Sequence, residues 1–278
     1  NLLRLWAFLD NREMWHSLLQ VARNDQEQWP KWLRDIALNE GRFLNIATLL
    51  LRYSMIEARE SKQSSYIIHP VVHRWISHIQ DVAGKRVFLR LAVMLIGFSV
   101  SDCTTKNYWV LQRRLLPHAE RCSWWMGELE GGEYNIADIT IDHATHSLGN
   151  LYLDQGWLKE AKTMYQRALE GYEKALGPYH RLTLGTVYNL GNLYETQGRL
   201  KEAETMYQRA LSGYSAALGS SHAKSLLVVK NIASLQLAKG SLSLQGLIVK
   251  FANIDNQVHR EKLNRRSIIL RQMKLPPR

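Results

Sequence analysis

Three imidazoles crowd the stretch YIIHPVVHRWISHI, residues 66–79: His69, His73 and His78. His69 and His73 stand four apart, the spacing that places two imidazoles on one helix face to hold zinc. Metalloprotease chemistry also needs a glutamate directly after the first histidine, and Pro70 occupies that place. Proline in a first helical turn puts His69 at or before the N-cap and His73 inside the helix, so the rings need not face alike. The stretch holds no acidic or cysteine ligand. It reads as structural, with Pro70 setting the helix start and Val71, Val72, Trp75, Ile76 and Ile79 as its packing face.

Other catalytic constellations are also missing from the sequence. Gly84-Lys85 lacks both the upstream Gly and the following Ser or Thr of a phosphate-binding loop. No GxSxG element accompanies the scattered His143, His146, His180 and His222. The expectation is a chain with no enzyme activity, no cofactor and no metal.

The elements come into view through self-similarity. LGNLYLDQGWLKEAKTMYQRALEGYEKALGPYH (148–180) matches LGNLYETQGRLKEAETMYQRALSGYSAALGSSH (190–222) at 24 of 33 positions without a gap, a period of 42. Val187, Leu190 and Tyr194, then Leu200, Ala203, Tyr207 and Ala210, recur at helical spacing, and Gly198 separates the two runs. Small residues at Gly191, Ala203 and Ala210 let the paired helices approach closely, while Tyr194 and Tyr207 fill the space between them. A lone hairpin of this kind cannot bury its face, so neighbours must stack into a solenoid. A third copy starts at Val228, with Asn231, Ile232, Leu235, Gly240 and Leu242 in register, and fades after Ser243. His180 and His222 are equivalent positions, which favours a role in the repeat. Trp109 to Cys122 has helical periodicity and suits a divergent second helix ahead of the first clear copy.

These residues, Gly149, Tyr152, Ala161, Tyr165 and Ala168 with their counterparts Gly191, Tyr194, Ala203, Tyr207 and Ala210, resemble the tetratricopeptide repeat. The 42-residue length and the recurring ALGPYH and ALGSSH are similar to the long variant in kinesin light chain and its relatives. In such arrays the first helices line a concave surface that holds extended peptides. The resemblance implies a groove for a protein or peptide ligand lined by His146, Ser147, Asn150 and Asp154, by Tyr188, Asn189, Asn192 and Glu195, and by Asn231. Asn suits the task because its amide both donates to and accepts from a peptide backbone. The other reading of these Asn residues is that they are solvated or bond the neighbouring repeat.

Composition excludes further classes. The net charge of +11 is concentrated: residues 1–82 carry 10 basic and 9 acidic side chains, 83–139 carry 7 and 6, 140–249 carry 11 and 8, and 250–278 carry 8 and 2. The excess is a basic tail, not a basic domain. The most apolar window, Val87–Val100, is too short to span a bilayer, contains Arg90 and reads as a buried helix. Nothing marks the N-terminus for secretion, and an initiator Met is absent. Cys103 and Cys122 form no motif, which suits a reducing, cytoplasmic compartment.

The first eighty residues are built differently. LRLWAFLDNREMWHSLLQVA suggests two short helices, WPKWLRDIAL and RFLNIATLLLRYS two more, and Met55–Ala58 with Ser65–Ile68 a hairpin before the helix at Pro70. With WPKWLRDIA, RFLNIATLLLRYSMIE and YIIHPVVHRWISHI, this order resembles the winged-helix subdomain that follows the nucleotide-binding core in NLR-type receptors of fungi. There the histidine of a Met-His-Asp element lies beside the bound nucleotide diphosphate, a role that would fall by match on His69. Ile68 and Pro70 flank it here, so the element's Asp is absent. DNA, a common partner of winged helices, is not expected, because a subdomain at +1 offers little to phosphates.

The expected fold is all-α: a winged-helix subdomain with a small β-hairpin (1–82), a helical connector (83–139), an α-solenoid of tetratricopeptide repeats (140–249) and a basic tail (250–278). The expected function is the ligand-sensing C-terminal part of an NLR-like receptor whose nucleotide-binding core lies upstream. The alternative is a freestanding adaptor of the kinesin-light-chain type.

Overall fold

The computed structural model describes residues 1–23, 28–59, 64–100, 108–129 and 138–240. The basic tail, the end of the third repeat copy beyond Gly240, and Cys103 lie outside the described residues. The chain divides into two units, Asn1–Ala168 and Leu169–Arg278, a boundary that falls inside the first repeat copy.

The first unit opens with α1 (Leu2–Trp6), β1 (Met14–Trp15), α2 (His16–Leu19), a 3-10 turn (Gln20–Arg23), α3 (Lys31–Leu38) and α4 (Glu40–Arg52). β2 (Ile56–Arg59), β3 (Ser65–Ile68) and α5 (Pro70–Ile79) follow. The hairpin pairs Ile56 with Ile68 and Arg59 with Ser65, and β1 adds to its far side, Met14 opposite Tyr66, giving the antiparallel order β1-β3-β2. The two short helices expected at the N-terminus are α1 and α2, and β1 between them is an addition: a two-residue strand carries no periodicity, and β3 recruits it by exposing an unpaired edge.

His69 caps α5, its Nδ1 accepting from the Val71 N–H at 3.3 Å, and Pro70 takes the first helical position. The buried face of α5 is His73, Ile76, Ser77 and Gln80, whereas Val71, Trp75 and Ile79 are more than half exposed. This corrects the packing face inferred from apolar residues. The cause is the set of carbonyls in and just after α1 that face α5. His73 Nε2 reaches Trp6 O at 3.1 Å and Leu9 O at 2.9 Å, and Gln80 Nε2 donates to Arg4 O at 3.4 Å, so polar side chains must turn inward.

α6 (Val82–Ser99) is the axis of this unit, buried at every position from Leu91 to Gly97. Arg90 stays in the apolar window by pairing with Asp138, its Nε 2.7 Å from Oδ2. α7 (Tyr108–Glu128), α8 (Ile139–Asp154) and the start of α9 (Leu158–Leu176) complete the unit. α6 and α8 touch backbone to backbone: a Cβ on Gly97 would lie 2.5 Å from Ala144 O and 2.6 Å from its Cα. Cys122 of α7 is fully buried, burial raises its thiol pKa, and its Sγ donates to Phe8 O at 3.6 Å, so it is no nucleophile.

The second unit holds the rest of α9 with α10 (Arg181–Thr196), α11 (Leu200–Leu218) and α12 (Ala223–Ala238). Leu184, Val187, Tyr207, Tyr214, Val228 and Ile232 form its core. Gly156, Gly177, Gly198, Gly219 and Gly240 all have positive φ and follow one another every 21 residues, half the repeat period, one closing each helix in turn. The ALGPYH and ALGSSH segments make one compact turn. Gly177 and Gly219 end a helix, and His180 and His222 cap the next by accepting from the N–H of Leu182 and Lys224. Thr183 and Ser225 hydroxyls donate back to Gly177 O and Gly219 O at 2.8 Å.

Two predictions follow from this packing. Gly97→Ala drives a methyl into the Ala144 backbone and is expected to cost about 1–3 kcal/mol, read by urea unfolding. Gly127→Ala in α7, where a Cβ meets nothing within 4 Å, leaves stability unchanged or slightly raised; equal effects would contradict the close contact. The second concerns acid. His118 is buried with Nδ1 accepting from the Asp10 N–H at 3.1 Å, and burial pushes its pKa down to about 4, against the opposing pull of Asp10 and Glu13. Burial also lowers His73 and His143. An unfolded histidine titrates near 6.5, so stability held by neutral His118 is complete above that pH and falls by about 3 kcal/mol as pH drops toward 4. His118→Gln should lower stability at neutral pH and flatten this acid slope; an unaltered slope would contradict the assignment.

Candidate protein-interaction face

The expected groove residues of the first unit lie on α8. His146 and Asn150 are half-buried and Asp154 is exposed. Asn150 Oδ1 accepts from the hydroxyl of Tyr165, on α9, at 2.7 Å, and the His146 ring lies 5.5 Å from the same tyrosine. Asp154 Oδ2 accepts from Gln112 Nε2 on α7 at 2.8 Å, and Gln155 donates to Gln112 Oε1 at 3.0 Å. These groove residues are therefore already held by α7 and α9.

The second unit repeats the device and extends it. Tyr207 Oη, on α11, lies 2.7 Å from Asn192 Oδ1 and 2.5 Å from Glu195 Oε2, and its single proton is shared between these two acceptors. Asn231 Nδ2, on α12, donates to Tyr188 Oη at 2.9 Å and Asn192 Oδ1 at 3.2 Å. The Tyr188 and Tyr207 rings sit 5.8 Å apart. Burial, and then the carboxylate of Glu195, holds the Tyr207 phenol protonated well above its ordinary range. Tyr188, Asn192, Glu195, Tyr207 and Asn231 thus form one network over three helices. Asn189 is half-buried on α10 and has partners of its own.

Both copies set the network on a glycine. A Cβ on Gly149 would lie 2.6 Å from the Tyr165 ring, and one on Gly191 would lie 2.6 Å from the Tyr207 ring. The tyrosine lies flat on the glycine backbone, which carries its hydroxyl to the adjacent asparagine. Helical spacing assigns Tyr207 only a space-filling part and marks neither Tyr165 nor Gln112 for the groove. The signal lay in the asparagine–tyrosine spacing of fifteen, identical in both copies.

The network leaves two groups open. Asn192 Oδ1 is taken twice while its Nδ2 donates to no described residue, and Glu195 Oε1 accepts from none. On one helix they supply a donor and an acceptor, the two kinds of group that a peptide backbone complements. Among the described residues, no three His, Cys, Asp or Glu side chains converge on a point, and no helix is long and apolar enough to cross a membrane.

The tetratricopeptide repeat family model matches residues 140–216 and 184–242. Over those residues the stacked hairpins match the tetratricopeptide repeat. Among solved structures, a putative kinesin light chain from Podosopora anserina with nearly identical TPR-like repeats is similar at 16% identity and TM-score 0.47, over 88% of this chain and 96% of that one. BtubC (BKLC) from P. vanneervenii is similar at 17% identity and TM-score 0.44, over 88% of this chain and 80% of that one. At such values these likenesses bear on neither partner nor mechanism. No curated protein matches the chain.

Tyr207→Phe removes the hydroxyl that Asn192 and Glu195 share and is expected to lower the stability of the full chain by about 1–2 kcal/mol. Thermal and urea unfolding read this. A neutral substitution would mean that the hydroxyl is not a structural bond.

Proposed function

We propose that the chain is a non-catalytic protein-interaction module whose tetratricopeptide repeats hold an extended segment of a protein or peptide ligand. The observation that carries this reading is the open pair on α10, Asn192 Nδ2 and Glu195 Oε1. The Tyr207 and Asn231 bonds hold it in place before any ligand arrives, so little ordering is left for binding to supply. His146, Asn150, Asp154, Tyr188, Asn189 and Asn231 belong to the same proposed lining.

A finer reading is that the chain is the sensing half of an NLR-like cytoplasmic receptor. The order of helices, strand and hairpin ahead of α5, with β1 paired to β3, supports a winged-helix subdomain. His69 is exposed, with Nδ1 engaged by its own helix and Nε2 without a described partner, which suits contact with a nucleotide-binding core. The adaptor reading draws on a different observation, the 42-residue period with its histidine-capped turn. Upstream coding sequence separates them: an in-frame phosphate-binding loop supports the receptor, and a heptad coiled coil the adaptor.

Asn192→Asp tests the groove, because it keeps both acceptor bonds from Tyr207 and Asn231 while removing the free donor. Against a peptide selected on the full chain from an extended-peptide library, it should weaken binding at least about tenfold, roughly one charged or well-formed hydrogen bond. Circular dichroism should show the fold retained. Equal affinity would reject the assignment of Asn192.

A further inference from the structure

Outside the repeats, three cations of the first unit, Arg121 on α7, Lys85 on α6 and Arg74 on α5, lie near one another with no ion pair among the described residues. The Arg121 guanidinium lies 4.8 Å from the Trp124 ring and 5.4 Å from that of Trp125, and Lys85 Nζ sits 5.8 Å from the same Trp125 ring. Arg74 of α5 is near enough for its charge to act on Arg121. No described carboxylate comes within ion-pair distance of Arg121, Lys85 or Arg74. The acidic group whose field does reach Arg121 is Asp10, and Arg12 already grips it through Nε and Nη2 at 3.0 and 3.1 Å. Arg121 Nε and Trp125 Nε1 are buried without partners.

Such an arrangement is costly for the free chain. Burial, and then the neighbouring Arg74, works against the charge of Arg121 and lowers its pKa. Two indoles fix the guanidinium plane, and Trp124 leaves 50% of its surface to solvent beside it. Arginine and tryptophan with few acidic neighbours are what the centre of a protein interface contains.

We propose that Arg121, Lys85 and Arg74, with the exposed face of Trp124, form a docking surface for an acidic segment of a partner protein. The cations are spread over three helices, which fits a run of carboxylates better than one small anion. Residues 1–139 carry 17 basic against 15 acidic side chains, so the surroundings lack the broad basic face that a phosphate backbone needs. A local patch suffices for a short acidic stretch, steering it in while the Trp124 indole takes its apolar side chains. This surface uses none of the residues of the tetratricopeptide face and stands whether or not that face binds peptide.

Fluorescein-labelled poly-L-glutamate, titrated with the full chain at near-physiological salt and followed by anisotropy, tests the proposal. Labelled oligothymidylate and phosphatidylserine vesicles are run beside it. Arg121→Gln with Lys85→Gln should weaken poly-L-glutamate binding at least about tenfold. Arg113→Gln, an exposed cation on the same helix that stacks on Trp109, should leave it unchanged. If Arg121→Gln unfolds the chain, Arg74→Gln with Lys85→Gln keeps the buried guanidinium and should still weaken binding several-fold. Retained binding in the variants would place poly-L-glutamate on the basic tail and overturn the proposal. So would an equal loss from Arg113→Gln, or tighter capture of oligothymidylate or vesicles abolished by the same substitutions.

Discussion

A tyrosine ring pressed onto a glycine, with its hydroxyl bound to the next asparagine, is the contact on which the repeat architecture turns. At Gly149 and Gly191 the missing side chain leaves a flat patch of helix that Tyr165 and Tyr207 cover. A phenol buried that deeply needs an acceptor, because an orphaned hydroxyl costs more than the bond returns. Asn150 and Asn192 provide it at the same distance in both copies. Packing and polar satisfaction therefore act through one trio, and the orientation of each asparagine amide follows from the closeness of its two helices.

This trio links stability to recognition. An asparagine held only by solvent would have to be ordered by a ligand, whereas Asn192 is fixed by Tyr207 and Asn231 and spends both oxygen lone pairs doing so. What remains is a directed N–H pair on the helix that also carries the free oxygen of Glu195. The 21-residue succession of positive-φ glycines and the histidine caps on α10 and α12 set where that helix starts and stops, and so where the pair is presented.

Much of this was legible in the residues. Period 42 located the hairpins, Gly198 marked a helix end, Pro70 marked a helix start, and the fourteen-residue apolar window containing Arg90 read as a buried helix. The errors share a cause: apolar periodicity cannot see a polar side chain recruited inward by someone else's backbone. His73 and Gln80 turn to the core to reach the carbonyls of Arg4, Trp6 and Leu9, and Val71, Trp75 and Ile79 are left at the surface. β1 escaped notice because two residues have no period. The asparagines allowed two readings, ligand contacts or bonds to neighbours, and no spacing argument could show that one amide can serve the neighbour with its oxygen and face outward with its nitrogen.

The central claim is that Asn192 offers its nitrogen while its oxygen stays bound. Side-chain amide nuclear magnetic resonance reads this directly when a selected extended peptide is titrated into the full chain. The account predicts that the Asn192 Nδ2 protons shift and gain protection while those of Asn231, already donating to Tyr188, hold their positions. Movement of the Asn231 protons with Asn192 unperturbed would contradict it.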